Sequence, residues 1–130
     1  VECYAGQLNQ VFMNVLSNAI DALENQPAPR KISISTQVIA KDRESIGTGG
    51  NFPEWIAISI RDNGIGMTEQ VKKRLFDPFF TTKPVGKGTG LGLSISYQIV
   101  ADKHGGKLNC VSAPGEGAEF AIEIPISRYE

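Results

Sequence analysis

An alternating strand that runs into a glycine turn limits how this 130-residue chain can fold. Isoleucines alternate with small or polar residues from Ile56 to Arg61, which is the period-two pattern of a strand with one buried face. Asp62 has the parity of the isoleucines, so its carboxylate should point toward the core, where an ionised group needs compensation. The glycines of Asn63-Gly64-Ile65-Gly66 permit positive φ and let another molecule approach the backbone. The stretch predicts either a strand that simply ends in a turn or a pocket whose carboxylate accepts a hydrogen bond from an amine.

The composition is that of an ordinary globular domain. The chain is 41% hydrophobic and 21% charged with a net charge of −1, so we expect a single folded domain without a general nucleic-acid or membrane surface. Cys3 and Cys110 lack metal-ligand spacing and fit reduced thiols in a cytosolic setting, with a disulfide as the alternative. No apolar run approaches 18 residues, and the first residue is not methionine. We therefore expect a piece of a longer protein.

The strongest helical pattern lies near the start of the chain. Apolar residues recur at helical spacing and predict a helix over about residues 6–25, ended by two prolines. Asn14 and Asn18 lie one turn apart on the flank of its apolar stripe. Their two carbonyl oxygens either face one hard cation such as Mg²⁺ or are simply solvated.

Further elements follow from the same patterns. We expect a strand over residues 31–38 that alternates around Ile32, Ile34 and Val38, and an exposed loop or hairpin connection over residues 41–54. Thr68 should begin a short helix that ends near Leu75. A helix carrying Leu91, Ile95 and Ile99 should end at two glycines, and strands are expected over residues 107–111 and 118–124, the latter with Phe120, Ile122 and Ile124 inward.

A long irregular stretch separates the short helix from the next one. Residues 76–83 have no helical period and the stretch to Gly90 is glycine-rich, so we expect a hinged lid anchored by its three phenylalanines. Five of the thirteen basic residues fall close together, which gives a local positive field: Lys72, Lys73, Arg74, Lys83 and Lys87. Residues 86–93 combine glycines, a lysine and a helix start, which is typical of a phosphate site but fits neither the Walker A nor the dinucleotide pattern.

Four blocks in fixed order resemble the N, G1, F and G2 boxes of the catalytic, ATP-binding domain of sensor histidine kinases. They are residues 14–19, 62–67, 76–80 and 86–93. The resemblance covers residues 6–125 and extends to the superfamily that also holds gyrase and chaperone ATPases. It implies an α+β fold, a two-layer α/β sandwich of the Bergerat (GHKL) type. One mixed, mainly antiparallel sheet would carry three helices on one face, with ATP between the helices and the lid.

The resemblance also implies a binding site for ATP and Mg²⁺. Asp62 would bond the adenine amino group, Asn18 with Asn14 would hold the metal, and Lys83 and Lys87 would face the phosphates. Ala118 stands where the family commonly has threonine and lacks its hydroxyl, which puts one of the family's hydrogen bonds to the base in question. The implied nucleotide-binding positions are Asn14, Asn18, Asp21, Asp62, Gly64, Ile65, Gly66, Met67, Phe79, Thr81, Thr82, Lys83, Lys87, Gly88, Thr89, Gly90, Leu91, Gly92 and Leu93.

The implied function is a protein histidine kinase. It would transfer the γ-phosphoryl group of ATP to a histidine on a dimerisation domain of the same protein, with a response regulator as the indirect partner in a two-component phosphorelay. The domain is expected to be cytoplasmic whether or not its parent is membrane-anchored, and alone it should be an inactive monomer without nucleic-acid or membrane contacts. His104, the only histidine, is expected to be a capping or surface residue rather than the acceptor.

Alternatives from other functional classes stay open. One is a nucleotide-binding module without histidine transfer, another is a serine kinase of the anti-sigma type, and a third is an ATP-hydrolysing clamp. Clamp ATPases carry a glutamate base in the place of Asn14, and an amide cannot take a proton from water, which disfavours hydrolysis.

Overall fold

A computed structural model describes residues 1–40, 54–82 and 91–126 and contains one sheet with helices packed on it. Its elements in chain order are α1 (Ala5–Leu23), β1 (Ile32–Ala40), β2 (Glu54–Asp62), α2 (Glu69–Arg74), α3 (Gly92–Gln98), a π-helical segment (Ile99–Lys103), β3 (Lys107–Ser112) and β4 (Ala118–Pro125).

The four strands form one sheet in the order β1-β2-β4-β3, and every neighbouring pair is antiparallel. The predicted α+β class, with a mainly antiparallel sheet and three helices, is confirmed. The register brings four residues into one row at an end of the sheet, because Asp62 lies opposite both Ile32 and Ala118, and Ala118 lies opposite Ser112. Since cross-strand neighbours share a face, this row places two polar side chains at the rim of the core.

The core lies between one face of the sheet and the helices α1 and α3. Burial alternates along β4, where Phe120, Ile122 and Ile124 point inward as predicted. Val11 and Val15 of α1 are fully buried against them. Apolar burial on both layers therefore fixes α1 over β2 and beside α3.

β1 is longer and more exposed than predicted. It continues to Ala40, and Ile34 and Val38 on its inner face are each 59% exposed. β1 is an edge strand, and α1 packs on β2 and α3, so the helical layer leaves the inner face of β1 open over these residues. The alternating pattern predicted the strand correctly but not its place at the edge.

The helix ends follow local capping chemistry. α1 ends at Leu23, earlier than predicted, and Asn25 adopts a left-handed φ of 65°. Thr68 caps α2 as predicted, because its Oγ1 accepts a hydrogen bond from the Val71 N–H at 3.2 Å. The π-helical segment after α3 ends at Lys103, and Gly105 follows with a φ of +64° while the Gly106 N–H returns to the Val100 carbonyl at 2.8 Å.

His104 is buried, so of the two expected roles, capping or surface residue, the surface position is wrong. It is 5% exposed, its Nδ1–H donates to the Ile99 carbonyl at 2.9 Å, and its Nε2 accepts the backbone N–H of Tyr4 at 3.0 Å. The ring therefore ties the start of α1 to the end of the π-helical segment, which is a capping function from inside the fold. Both ring nitrogens are hydrogen-bonded to backbone groups, so neither is available to accept a phosphoryl group.

Both cysteines are free thiols and are half-buried, which matches the reduced alternative. Burial is the main cause that raises the pKa of Cys110 to about 12. Within the described ranges no helix is long and apolar enough to cross a membrane. The loop predicted over residues 41–54 lies outside the described residues, except for Glu54, which begins β2.

Candidate functional site

Asp62 ends β2 with its carboxylate on the core side, as the parity of the strand predicted. The residue is 4% exposed, and its Oδ1 accepts the Gly64 N–H at 2.9 Å. Burial raises the pKa of the Asp62 carboxyl, while the backbone N–H groups of Gly64 and Ala118 act in the opposite direction and favour the ionised form. A carboxylate has about four lone-pair sites, so two backbone donors leave capacity for a hydrogen bond from a ligand amine.

Glycine is required in the turn after Asp62 because the turn is in close contact with two other segments. A Cβ at Gly64 would overlap the Ala22 carbonyl of α1. Gly66 has a φ of +71°, and a Cβ there would overlap the Ala113 carbonyl in the β3–β4 connection. The turn is therefore held between α1 and the hairpin, and it presents bare backbone beside the carboxylate.

Hydrogen bonds lock the same turn in place. The Ile65 N–H donates to the Ala22 carbonyl at 3.3 Å, and the Ile65 carbonyl accepts from the Gly115 N–H at 2.7 Å. Two sides of the turn are thus bonded to two different elements of the fold. Ile65 itself is 56% exposed, so its side chain is available at the rim of the site.

Ser112 is a site residue that sequence reasoning missed. Its hydroxyl accepts the Met67 N–H at 2.9 Å and donates to the Gly117 carbonyl at 2.6 Å. Ser112 is 8% exposed and has the inward parity of Leu108 in β3, which is the signal that could have identified it. It joins the end of the glycine turn to the hairpin that carries Ala118.

The two predicted metal-binding asparagines differ in what they contact. The Asn14 Nδ2 donates to the Gly92 carbonyl at 3.0 Å and to Ser96 Oγ at 3.1 Å, and its Oδ1 accepts from Gln10 at 2.9 Å. Asn18 is also half-buried, but none of the residues that the structure describes forms a hydrogen bond with its amide. The pair lies on one flank of α1, as predicted, yet only Asn14 is bonded to α3.

The other described site residues predicted here lie on the same side of α1 or at the start of α3. Asp21 is exposed three residues after Asn18, which places it on the same side of α1. Leu91, Gly92 and Leu93 are half-buried where α3 begins. Across the described part of the chain, no three His, Cys, Asp or Glu side chains are grouped as metal ligands.

The phenylalanine block is anchored by two of its three rings rather than by all of them. The Phe76 ring lies 5.3 Å from that of Tyr97, and the Arg74 guanidinium lies 4.8 Å from the centre of the Phe80 ring. Phe79 is 73% exposed and has a φ of 65°, a left-handed conformation that costs about 1–3 kcal/mol in a non-glycine residue. The ring of Phe79 is therefore exposed rather than packed, so the expectation of an anchor of three phenylalanines is wrong at Phe79.

The stretch predicted to form a lid is described only in part. Thr81 and Thr82 follow the phenylalanine block and are exposed. The predicted phosphate-facing residues Lys83, Lys87, Gly88, Thr89 and Gly90 lie outside the described residues. Part of the predicted positive field is paired, because Lys72 lies 2.6 Å from Glu69, while Arg74 lies 3.7 Å from Asp77.

Comparison with known proteins places this arrangement in context. Residues 4–128 match the family model described as histidine kinase-, DNA gyrase B- and HSP90-like ATPase. The two-component sensor PprA of Pseudomonas aeruginosa is 41% identical over 125 residues, which are 95% of this chain and 12% of that protein. Sporulation kinase E of Bacillus subtilis is 38% identical over 128 residues, which are 98% of this chain and 15% of that protein. The chain thus spans less than a sixth of the length of either relative.

Solved structures show the same likeness. The nucleotide-free catalytic domain of histidine kinase ThkA superposes with a TM-score of 0.70 at 36% identity, covering 96% of this chain and 71% of that one. The mycobacterial sensor histidine kinase MprB gives a TM-score of 0.67 at 28% identity, covering 92% of this chain and 70% of that one.

Proposed function

The chain belongs to the family of histidine kinase-, DNA gyrase B- and HSP90-like ATPases, and we propose that it is the catalytic, ATP-binding domain of a two-component sensor histidine kinase. It binds Mg-ATP and transfers the γ-phosphoryl group to a histidine on a dimerisation domain of the same protein. A response regulator receives the phosphoryl group afterwards. The catalytic step takes place in the cytoplasm.

The buried carboxylate of Asp62 is the observation that carries this proposal. It ends a core strand beside a glycine turn whose backbone is fixed on two sides. Adenine presents an amino group that can donate to this carboxylate, whereas guanine presents a carbonyl at the corresponding position, which would meet another acceptor. Because an unpaired buried polar group is costly, this single contact supports selection of adenine. Gly64, Ile65, Gly66 and Met67 would line the base.

The proposed phosphate and metal region lies between α1 and the start of α3. Mg²⁺ prefers oxygen ligands and is commonly held by one or two protein groups together with the phosphates of the substrate. The amide of Asn18, which no described residue engages, fits that requirement, and Asp21 adds negative charge on the same flank. When bound, the ion supplies charge neutralisation and aligns the β- and γ-phosphates. We propose that the predicted lid and the start of α3 enclose the phosphates from the other side, through Phe79, Thr81, Thr82, Lys83, Lys87 and residues 88–93.

Transfer to histidine is favoured over hydrolysis by the residue at position 14. Asn14 donates its amide hydrogens to Gly92 and Ser96, and an amide has no basic site for a proton of water. In the transfer, the bond between the γ-phosphorus and the β–γ bridging oxygen breaks, and a bond to an imidazole nitrogen forms. The nucleophile comes from outside the domain, so the domain contributes positioning and charge neutralisation.

Calorimetry and phosphoamino-acid chemistry test the proposal. The chain is titrated with a non-hydrolysable ATP analogue, with and without Mg²⁺, and then with the matching GTP analogue. The full-length protein is next incubated with labelled ATP. We expect magnesium-enhanced binding that rejects GTP, and an acid-labile, base-stable phosphoryl label on the protein. An acid-stable label on a partner would favour the serine kinase, and phosphate release without any labelled protein would favour the clamp ATPase.

A further inference from the structure

The side-chain amide of Asn14 acts as a donor toward α3. Its Nδ2 lies 3.0 Å from the Gly92 carbonyl oxygen, which can only accept a hydrogen bond. The second acceptor, Ser96 Oγ, is 3.1 Å away, and its own hydroxyl hydrogen is donated to the same Gly92 carbonyl at 2.8 Å. Rotating the amide by half a turn would place Asn14 Oδ1 against the Gly92 carbonyl oxygen, with no hydrogen between the two acceptors. These partners therefore fix the Nδ2 end of the amide toward α3.

The oxygen of this amide is already engaged by another residue of α1. Oδ1 of Asn14 accepts from Gln10, which lies one turn toward the N-terminus of α1. Asn18 lies one turn in the opposite direction along the same helix. The Asn14 oxygen thus already has a partner within α1, whereas no described residue engages the Asn18 amide, so the two amides are not equivalent candidates for binding one small cation.

We propose that Asn14 is a positioning residue that fixes the first turn of α3 against α1, and that Asn18 binds the metal without it. This inference rests on the proposed nucleotide-binding function. It assigns different roles to Asn14 and Asn18, which the sequence pattern had treated as one metal-binding pair. The contact joins residues 78 positions apart at the boundary between the two helices. Because Leu91, Gly92 and Leu93 begin α3, loss of the contact displaces backbone proposed to face the phosphates, whether or not a metal is bound.

Substitution by aspartate separates the two roles. Asn14→Asp keeps the size of the side chain and offers oxygen ligands, but it has no hydrogen to donate to Gly92 or Ser96. A metal ligand at position 14 would tolerate this change, whereas a donor to the carbonyl would not. Asn14→Ala removes the donors without adding charge, and Asn18→Ala is the matched change one turn away on the same flank.

Binding of ADP by each variant, measured in EDTA and in Mg²⁺, provides the test. Without the contact, part of the binding free energy must be spent on holding the first turn of α3 in place, up to the free energy of the two lost hydrogen bonds, about fivefold each. Asn14→Ala should therefore bind ADP about 5- to 30-fold more weakly in EDTA. The same factor should apply in Mg²⁺, so the gain in affinity from the metal is unchanged. Asn14→Asp should be at least as impaired. Asn18→Ala should keep its affinity in EDTA and lose the gain from Mg²⁺.

Two outcomes would overturn the inference. One is an Asn14→Ala variant with the affinity of the unsubstituted chain in EDTA. The other is an Asn14→Ala variant that loses the gain from Mg²⁺ to the same extent as Asn18→Ala.

A measurement without nucleotide separates failure of this inference from failure of the proposed function. Urea unfolding is compared for Asn14→Ala, Ser96→Ala and the double variant, with Gln10→Ala as the control that removes only the bond to Oδ1. We expect non-additive shifts of the unfolding midpoint for the Asn14 and Ser96 pair and almost no shift for Gln10→Ala. Additive shifts would refute the tie between the helices even if the chain binds nucleotide. Absence of nucleotide binding with non-additive shifts would refute the function alone.

Discussion

Replacing Asp62 by asparagine should separate ligand binding from stability. The carboxylate accepts the Gly64 N–H at 2.9 Å and is also bonded by the Ala118 N–H. The introduced amide would keep one acceptor and turn an NH₂ group toward the remaining donors, including the adenine amino group. A hydrogen bond to a charged group contributes about 1.5–3 kcal/mol, so we expect nucleotide affinity to fall by about 2–3 kcal/mol, or about 30- to 150-fold.

The same substitution should flatten the dependence of stability on pH. Burial raises the pKa of Asp62, so the folded state holds its proton to a higher pH than the unfolded chain does. Ionisation of Asp62 therefore lowers the free energy of unfolding as the pH rises from about 4, the ordinary carboxyl value, through the raised folded pKa. Asparagine cannot ionise, so the free energy of unfolding of the variant should no longer decrease over this pH range. Its nucleotide affinity should be lower at the same time.

A modified ligand supplies the control. An ATP analogue whose purine lacks the amino group is titrated into the unsubstituted chain and into Asp62→Asn by calorimetry. Removing the amino group should weaken binding to the unsubstituted chain and have little further effect on the variant, because the partner of the amino group is already gone. An equal loss in both proteins, or an Asp62→Asn variant of unchanged affinity, would refute the assignment of Asp62 to the adenine amino group.

Other predictions concern residues around the site and in the core. Ser112→Ala should leave two buried backbone groups without partners and lower stability by about 1–3 kcal/mol, measured by urea unfolding, with weaker nucleotide binding that Ser112→Thr restores; unchanged binding by the alanine variant would contradict its role in fixing the turn. Gly66→Ala should destabilise the fold by more than about 1 kcal/mol, because φ is +71° and the Cβ would overlap a carbonyl; a thermal midpoint equal to that of the unsubstituted chain would refute this. His104→Leu should remove both hydrogen bonds of the ring and lower stability by about 2 kcal/mol, with faster amide exchange at Tyr4; unaltered exchange there would count against the tie. Cys110 has a pKa of about 12 and should resist alkylation at about pH 8 until the chain unfolds; rapid modification of the folded chain would show that burial does not control it.

The sequence predicted those features that depend on local pattern. Alternation placed Asp62 on the core side of β2, and the glycines after it predicted a turn of unusual backbone conformation. Both follow from periodicity and from the conformational freedom of glycine, which act within a few residues. The order of the blocks then identified the family, because four such local features in sequence rarely occur together by chance.

Features that depend on contacts between distant segments were not predictable in the same way. Asn14 and Asn18 have equivalent places in the helical pattern, and only the Gly92 carbonyl, 78 residues further on, makes one of them a donor. For His104 the sequence predicted a capping or surface residue but not its burial, because the sequence does not reveal that Tyr4 lies against it. The exposure of Ile34 likewise follows from the position of β1 at the edge of the sheet, which the alternation of the strand does not contain.

The row of residues at the end of the sheet explains why Asp62 should carry most of the selectivity for the base. Ala118, opposite Asp62, has no hydroxyl where the family commonly has threonine. The nearest cross-strand hydroxyl belongs to Ser112, opposite Ala118, but it already accepts from Met67 and donates to Gly117. It therefore cannot replace the missing group without releasing the glycine turn, which we propose lines the base. With one neighbour apolar and the other hydroxyl occupied, the carboxylate is the acceptor in this row that remains able to read the amino group of adenine.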